Sequence, residues 1–224
     1  MSKNISASIE VSPKQAVESN AIIDLFPHGG RVYLTDIGSE TTDYLVRGAK
    51  RIRDLGYEPV PHFASRRMIA ADILEDRVKR MASEAKVSDV LVIGGSLEKE
   101  AGEFSSTMQL LETGVFQRHG ITHMGIAGHP EGSPDFDDDT AMEALHQKQD
   151  FAEKTGLNLR IVTQFGFDAA KFIDWTQDLT LNQRQVMDGV KDNVRGCIRT
   201  GMHCDDIGFM ANDTLSTKPL IQTS

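Results

Sequence analysis

The sequence predicts an α/β domain built on a parallel sheet covered by helices, and three observations carry that prediction. Short β-rich runs alternate with longer helical ones from Ile5 to about Asp174, in the recurring order strand, loop, helix. One run, Val90-Leu91-Val92-Ile93, is apolar without interruption, as a parallel strand buried on both faces requires. No obvious linker divides the series, and 224 residues suit one substantial core.

Six strands are legible in order: Ile5 to Val11, Arg31 to Asp36, Glu58 to Phe63, Asp89 to Gly94, His123 to Ala127 and Leu159 to Gln164. Between the second and third, Thr41 to Leu55 sets Leu45, Ala49, Ile52 and Leu55 at helical spacing, and Gly56 stops the helix. A second helix runs from about Arg67 to Ala85, and a third from Phe104 to His119, with Met108, Leu111, Val115 and Phe116 as its apolar stripe. Met108 reads as core rather than as a ligand. The acidic run Asp137-Asp138-Asp139 precedes a helix over Ala141 to Lys154, where negative side chains favour the positive end of the helix dipole; this outweighs a metal-binding reading. Beyond Trp175 polar residues dominate. Thr180 to Val194 reads as one further helix and Asn212 to Ser224 as a poorly ordered tail, so residues 1–175 form the domain and 176–224 a divergent extension.

A formal charge of −9 and a pI near 5.2 argue against general attraction to nucleic acid or to anionic membranes, leaving small molecules as the better partners. No apolar run approaches the ~20 residues of a membrane span, and Met1-Ser2-Lys3-Asn4 lacks the apolar core of a secretion signal. A cytoplasmic location is expected. Cys197 and Cys204 fit neither a redox pair nor a repeated metal pattern and read as reduced thiols. No Cys/His nucleophile pair, Gly-x-Ser-x-Gly elbow or His-Glu-x-x-His motif occurs, so covalent hydrolysis and zinc chemistry have little support.

In parallel α/β folds the ligand site lies beyond the carboxyl ends of the strands. That rule selects Glu10, Thr35 with Asp36, His62, Gly94-Gly95 with Ser96, His129 and Gln164. Taken singly, each has an ordinary explanation: a strand-end glutamate is usually solvated, a lone histidine is usually a hydrogen-bonded structural group, and two glycines can simply make a turn. Gly94-Gly95 is also not the spaced glycine fingerprint of a nucleotide-binding fold. Their convergence on one end of one sheet is the stronger argument.

Read together, these strand ends resemble the methylenetetrahydrofolate reductase family. The matching segments arrive in family order: Ser8-Ile9-Glu10-Val11-Ser12-Pro13, Arg31-Val32-Tyr33-Leu34-Thr35 and Gly56-Tyr57-Glu58-Pro59-Val60-Pro61-His62. Then come Val92-Ile93-Gly94-Gly95, Gly102-Glu103-Phe104, Leu110-Leu111-Glu112-Thr113-Gly114, Ala127-Gly128-His129-Pro130-Glu131-Gly132-Ser133-Pro134 and Val162-Thr163-Gln164-Phe165-Gly166-Phe167-Asp168. The resemblance covers about residues 5 to 175.

It implies a TIM-barrel-type (β/α) fold that holds FAD on its strand ends. Such a protein takes hydride from a reduced nicotinamide donor and interconverts 5,10-methylenetetrahydrofolate and 5-methyltetrahydrofolate. By positional match Glu10 is the general acid, Gln164 bonds the folate ring, and Thr35, His62, His129 and Lys148 contact FAD, with Lys148 the partner of its diphosphate. The family often carries an aspartate after the Gly-Gly turn; here Ser96 stands there, a candidate contact that would leave the flavin potential different. The family continues through two further barrel strands that 176–224 does not match, so the barrel is expected to be incomplete, with about six parallel strands. A strand-helix unit takes ~30 residues or more, too many for two to fit. The open edge would then need the tail, a second copy or another partner to cover it. Two readings follow: a working flavin reductase, or a catalytically weak flavin- or folate-binding protein. A metal-dependent aldolase on a similar barrel is a distant third.

Overall fold

The computed structural model describes residues 8–23, 27–163 and 166–182. The expectations for Gln164, for most of the predicted 180–194 helix and for the 212–224 tail lie outside the described residues. Six parallel strands make one sheet: β1 Ile9–Val11, β2 Arg31–Leu34, β3 Glu58–Ala64, β4 Asp89–Ile93, β5 His123–Gly128 and β6 Asn158–Thr163. Each strand pairs with the next in sequence, and no reversal of order creates a switch point. Sequential order is that of a barrel rather than of a doubly wound sheet. Among the described residues the sheet curls into a half-barrel, as expected of an incomplete α/β barrel.

Helices alternate with the strands: α1 Pro13–Glu18, α2 Thr42–Asp54, α3 Ala71–Ala85, α4 Thr107–Glu112, α5 Val115–Arg118, α6 Asp138–Thr155 and α7 Ala169–Asn182. Their starts follow the local sequence. Thr41 caps α2 by accepting from the Tyr44 amide, and Asp137 caps α6 by accepting from that of Thr140. The acidic run at 137–139 therefore starts a helix, as expected. Two short helices carry full capping boxes, Ser12 with Gln15 and Ser106 with Gln109.

Two differences from the expected elements have local causes. Helix α1 was not among the predicted elements, because six residues hold too few apolar positions to show periodicity. The predicted helix from Phe104 to His119 is two short helices, since Gly114 adopts φ +69 and breaks the chain between them. Helix α7, Ala169–Asn182, was also not among the predicted elements.

Strand alternation sorts the apolar residues into two cores. Val11, Val32, Leu34, Phe63, Val90, Val92, Met124 and Ile126 point outward under the helices, and Met108 packs at the edge of this layer. Tyr33, Val60 and Leu91, with Ile93 and Val162, form the smaller inner cluster on the concave face. Among the described residues no helix is long and apolar enough to cross a membrane.

Candidate functional site

Strand parity decides which polar side chains enter the concave face. Glu10, Tyr33 and Val60 are aligned across β1, β2 and β3, so Glu10 shares the inner face with the apolar cluster. His62, two residues along β3 from Val60, points the same way and is aligned with Leu91 of β4. Glu10 and His62 thus meet diagonally across β2, with Glu10 Oε2 3.6 Å from His62 Nε2. Both side chains are buried, at 9% and 5% exposure. Burial raises the Glu10 carboxyl from 4.5 to about 7 and lowers the His62 imidazole from 6.5 to about 3. His62 Nε2 is buried and has no hydrogen-bond partner among the described residues.

A second group gathers beyond β4 and β5. An open pocket of about 510 Å³, counting its solvent-filled mouth, is lined by Ile93, Gly94, Ala127, His129, Phe136 and Lys148, among others. Helix α6 supplies Lys148, and the loop before it supplies Phe136, whose ring meets that of His129 edge-on at 5.0 Å. Burial lowers the Lys148 ammonium pKa. Burial first, and then the Lys148 charge, also lowers the His129 pKa, with Asp135 opposing. No carboxylate pairs with Lys148 among the described residues. The pocket is therefore apolar with one unanswered cation, the complement of a planar ligand bearing an anionic group.

The remaining candidates fall around these two groups. Thr35 follows β2 and donates through both its amide and its hydroxyl to the Val11 carbonyl, at 3.1 and 3.4 Å, tying the ends of β1 and β2 beside Glu10. Asp36 is structural: it is buried, accepts from Arg77 Nη1 at 2.6 Å, and takes the Gly38 amide at 3.0 Å. Gly95 turns the chain against Ala64, whereas Ser96 is exposed. Three of the residues singled out in sequence, Gly94, His129 and Lys148, line one pocket; Glu10 and His62 make a separate pair; Thr35, Gly95 and Ser96 line neither.

Two contributors were not foreseen. Glu131 Oε1 accepts the amides of Phe167 and Asp168, drawing the segment after β6 toward the loop after β5; its place in His129-Pro130-Glu131 was the available signal. Tyr33 on β2, part of the inner cluster, lies beside Glu10, a position that alternation along β2 could have shown. Among the described residues no three His, Cys, Asp or Glu side chains gather as a metal centre would need. No model of a known protein family matches the chain.

Proposed function

We propose that the chain is a flavin-dependent oxidoreductase interconverting 5,10-methylenetetrahydrofolate and 5-methyltetrahydrofolate, with FAD as its cofactor and Glu10 as its general acid. One observation carries the reading: a glutamate at the carboxyl end of the first strand, walled by apolar groups and held near pH 7 by burial. A carboxyl in that state is about half protonated at neutral pH and releases its proton readily, which is the requirement for an acid that opens a ring.

The pocket beyond β4 and β5 fits the cofactor's chemistry. Lys148 would hold the diphosphate, and Ile93, Ala127 and Phe136 offer apolar surface to a ring. A Cβ at Gly94 would meet nothing within 4 Å, so that position leaves room for close approach. When bound, FAD supplies the hydride, which no side chain can. Glu10 contributes the proton that the departing folate nitrogen needs as the five-membered ring opens. Gln164 keeps the folate-binding role that the resemblance implies, and a reduced nicotinamide is the donor.

The alternative, a catalytically weak flavin- or folate-binding protein, draws support from the sheet itself, which among the described residues stops at six strands. Both readings expect a yellow protein; only the first expects folate to reoxidise the reduced flavin. The decisive measurement follows flavin absorbance through each half-reaction in the parent and in Glu10→Gln. Flavin uptake and reduction by the nicotinamide donor should persist in the variant, while reoxidation by methylenetetrahydrofolate slows by about 100-fold or more. Equal reoxidation rates would remove Glu10 as the acid, and a chain that takes up no FAD would end the redox reading.

A further inference from the structure

We propose that Glu10 and His62 act as one proton-holding unit in which His62 Nε2 accepts a hydrogen bond from the protonated Glu10 carboxyl, making His62 the positioning residue for that proton. The role of the proton in folate chemistry rests on the function proposed above; the pairing itself does not.

The geometry leaves each group with the other. His62 Nε2 is buried without a partner, and the oxygen it faces is Glu10 Oε2. A buried ring nitrogen left unanswered is costly, so an unpartnered Nε2 is a site waiting for a donor or acceptor. At 3.6 Å the contact is longer than a hydrogen bond, and closing it needs a carboxyl shift of less than about 1 Å.

Other groups near the pair are committed elsewhere. The rings of Tyr33 on β2 and His62 meet edge to face, with centroids 6.1 Å apart, and the Tyr33 hydroxyl accepts from Arg160 Nε at 3.2 Å. Arg160 and Arg31 both bond Asp89, at 2.6 and 3.0 Å. Leu91, aligned with His62 on β4, is apolar. No charge from β2, β4 or β6 therefore bonds to either member among the described residues.

The proton's residence then follows from solvation. Moving it from Glu10 to His62 would create two charges in a place where burial disfavours both, raising the carboxyl to about 7 and lowering the imidazole to about 3. The neutral pair wins, with the proton on the carboxyl and the imidazole as acceptor. An acceptor that carries no charge orients the acid without holding its proton too tightly to release.

Two measurements on the full chain test this, and neither needs flavin or folate. Nitrogen NMR of the histidines at about pH 5, where Glu10 holds its proton and His62 is neutral, should show His62 as the tautomer protonated on Nδ1, with a bare Nε2; a proton on Nε2 would overturn the proposal. Infrared spectroscopy should show a carboxylic acid C=O band that is lost in Glu10→Gln. That band should move to higher frequency in His62→Leu, where the hydrogen bond is gone, and an unmoved band would also overturn it. Nitrogen NMR on the parent needs no variant to fold. The outcomes separate from those of the proposed function: a coupled pair in a chain inert toward folate leaves the pairing and removes the reductase, whereas an active reductase with His62 Nε2 protonated does the reverse.

Discussion

The two ends of the sheet treat their charges in opposite ways. At the amino end, Arg31 and Arg160 both bond Asp89, and Arg160 also reaches the Tyr33 hydroxyl and lies 5.6 Å over its ring. Three strands are joined by this network, and Asp89 has a partner for each oxygen, while one buried nitrogen, Arg160 Nη2, is left over among the described residues. At the carboxyl end, Glu10 and His62 face each other 3.6 Å apart, with no other hydrogen-bond partner for His62 Nε2, and Lys148 has no counter-charge among the described residues. Satisfied polar groups fix a structure, whereas groups left unsatisfied by the chain are the ones available to a ligand. The contrast separates support from chemistry within one concave face.

The sharpest way to break that comparison is to remove Asp89. Asp89→Ala removes the buried carboxylate that the part-buried Arg160 and the more exposed Arg31 both bond, and losing such charge-assisted bonds costs about 2 kcal/mol. Urea unfolding should show that loss, with the slope of the transition unchanged. A cost below ~1 kcal/mol would mean that the amino-end network contributes no more than an exposed surface pair.

At the other end the expected signature is pH dependence. Burial raises Glu10 from 4.5 to about 7 in the folded chain, so the folded state keeps a proton that the unfolded state loses. Stability from this group is undiminished below pH 4.5 and falls as pH rises through about 7. His62 has the opposite sign, because its folded value drops from 6.5 to about 3: stability is undiminished above pH 6.5 and falls as pH drops toward 3. Between about 4.5 and 6.5 the two slopes oppose, and the pair's contribution is level. Thermal unfolding from pH 4 to 8.5 should therefore show Glu10→Gln more stable than the parent above pH 7, with the advantage shrinking to nothing near pH 4.5. A constant difference across that range would mean that the carboxyl titrates normally.

Lys148 gives the intermediate effect. Lys148→Met should weaken FAD uptake by about 10-fold or more, the worth of one charge-assisted contact of at least ~1.5 kcal/mol. Stability without FAD should hold, since burial already disfavours the ammonium and no partner is lost among the described residues. A variant that unfolds more easily while binding FAD normally would reassign Lys148 to the supporting side.

Most of this arrangement was legible in the sequence at the level of elements. The six strands were found because β-branched runs such as Val90 to Ile93 are bounded by turns, and α2 and α6 because their caps and apolar spacing agree. Gly114 hid the break between α4 and α5, since its neighbours on both sides keep helical spacing. The strand-end rule selected Glu10, His62, Gly94 and His129 individually. It could not show that Glu10 meets His62 diagonally, because that depends on register across β2. The Arg31-Asp89-Arg160 network was invisible for the same reason: its residues are 58 and 71 positions apart in the chain.

The smallest effect distinguishes two adjacent glycines. Gly95 has φ +85, and an added Cβ would lie 3.2 Å from the Ala64 Cβ, so Gly95→Ala meets both backbone strain and a tight neighbour. That substitution should cost about 1 kcal/mol of stability, the usual penalty for a left-handed conformation outside glycine. Gly94 has no such φ, and its added methyl would meet nothing within 4 Å, while the residue lines the pocket that holds His129 and Lys148. Gly94→Ala should therefore leave unfolding within about 0.5 kcal/mol of the parent yet weaken FAD uptake, because the methyl occupies space a ring would approach. Paired titrations and melts of the two variants read the difference directly. If Gly94→Ala destabilises as much as Gly95→Ala and binds FAD as the parent does, the Gly-Gly turn belongs with the supporting end of the sheet.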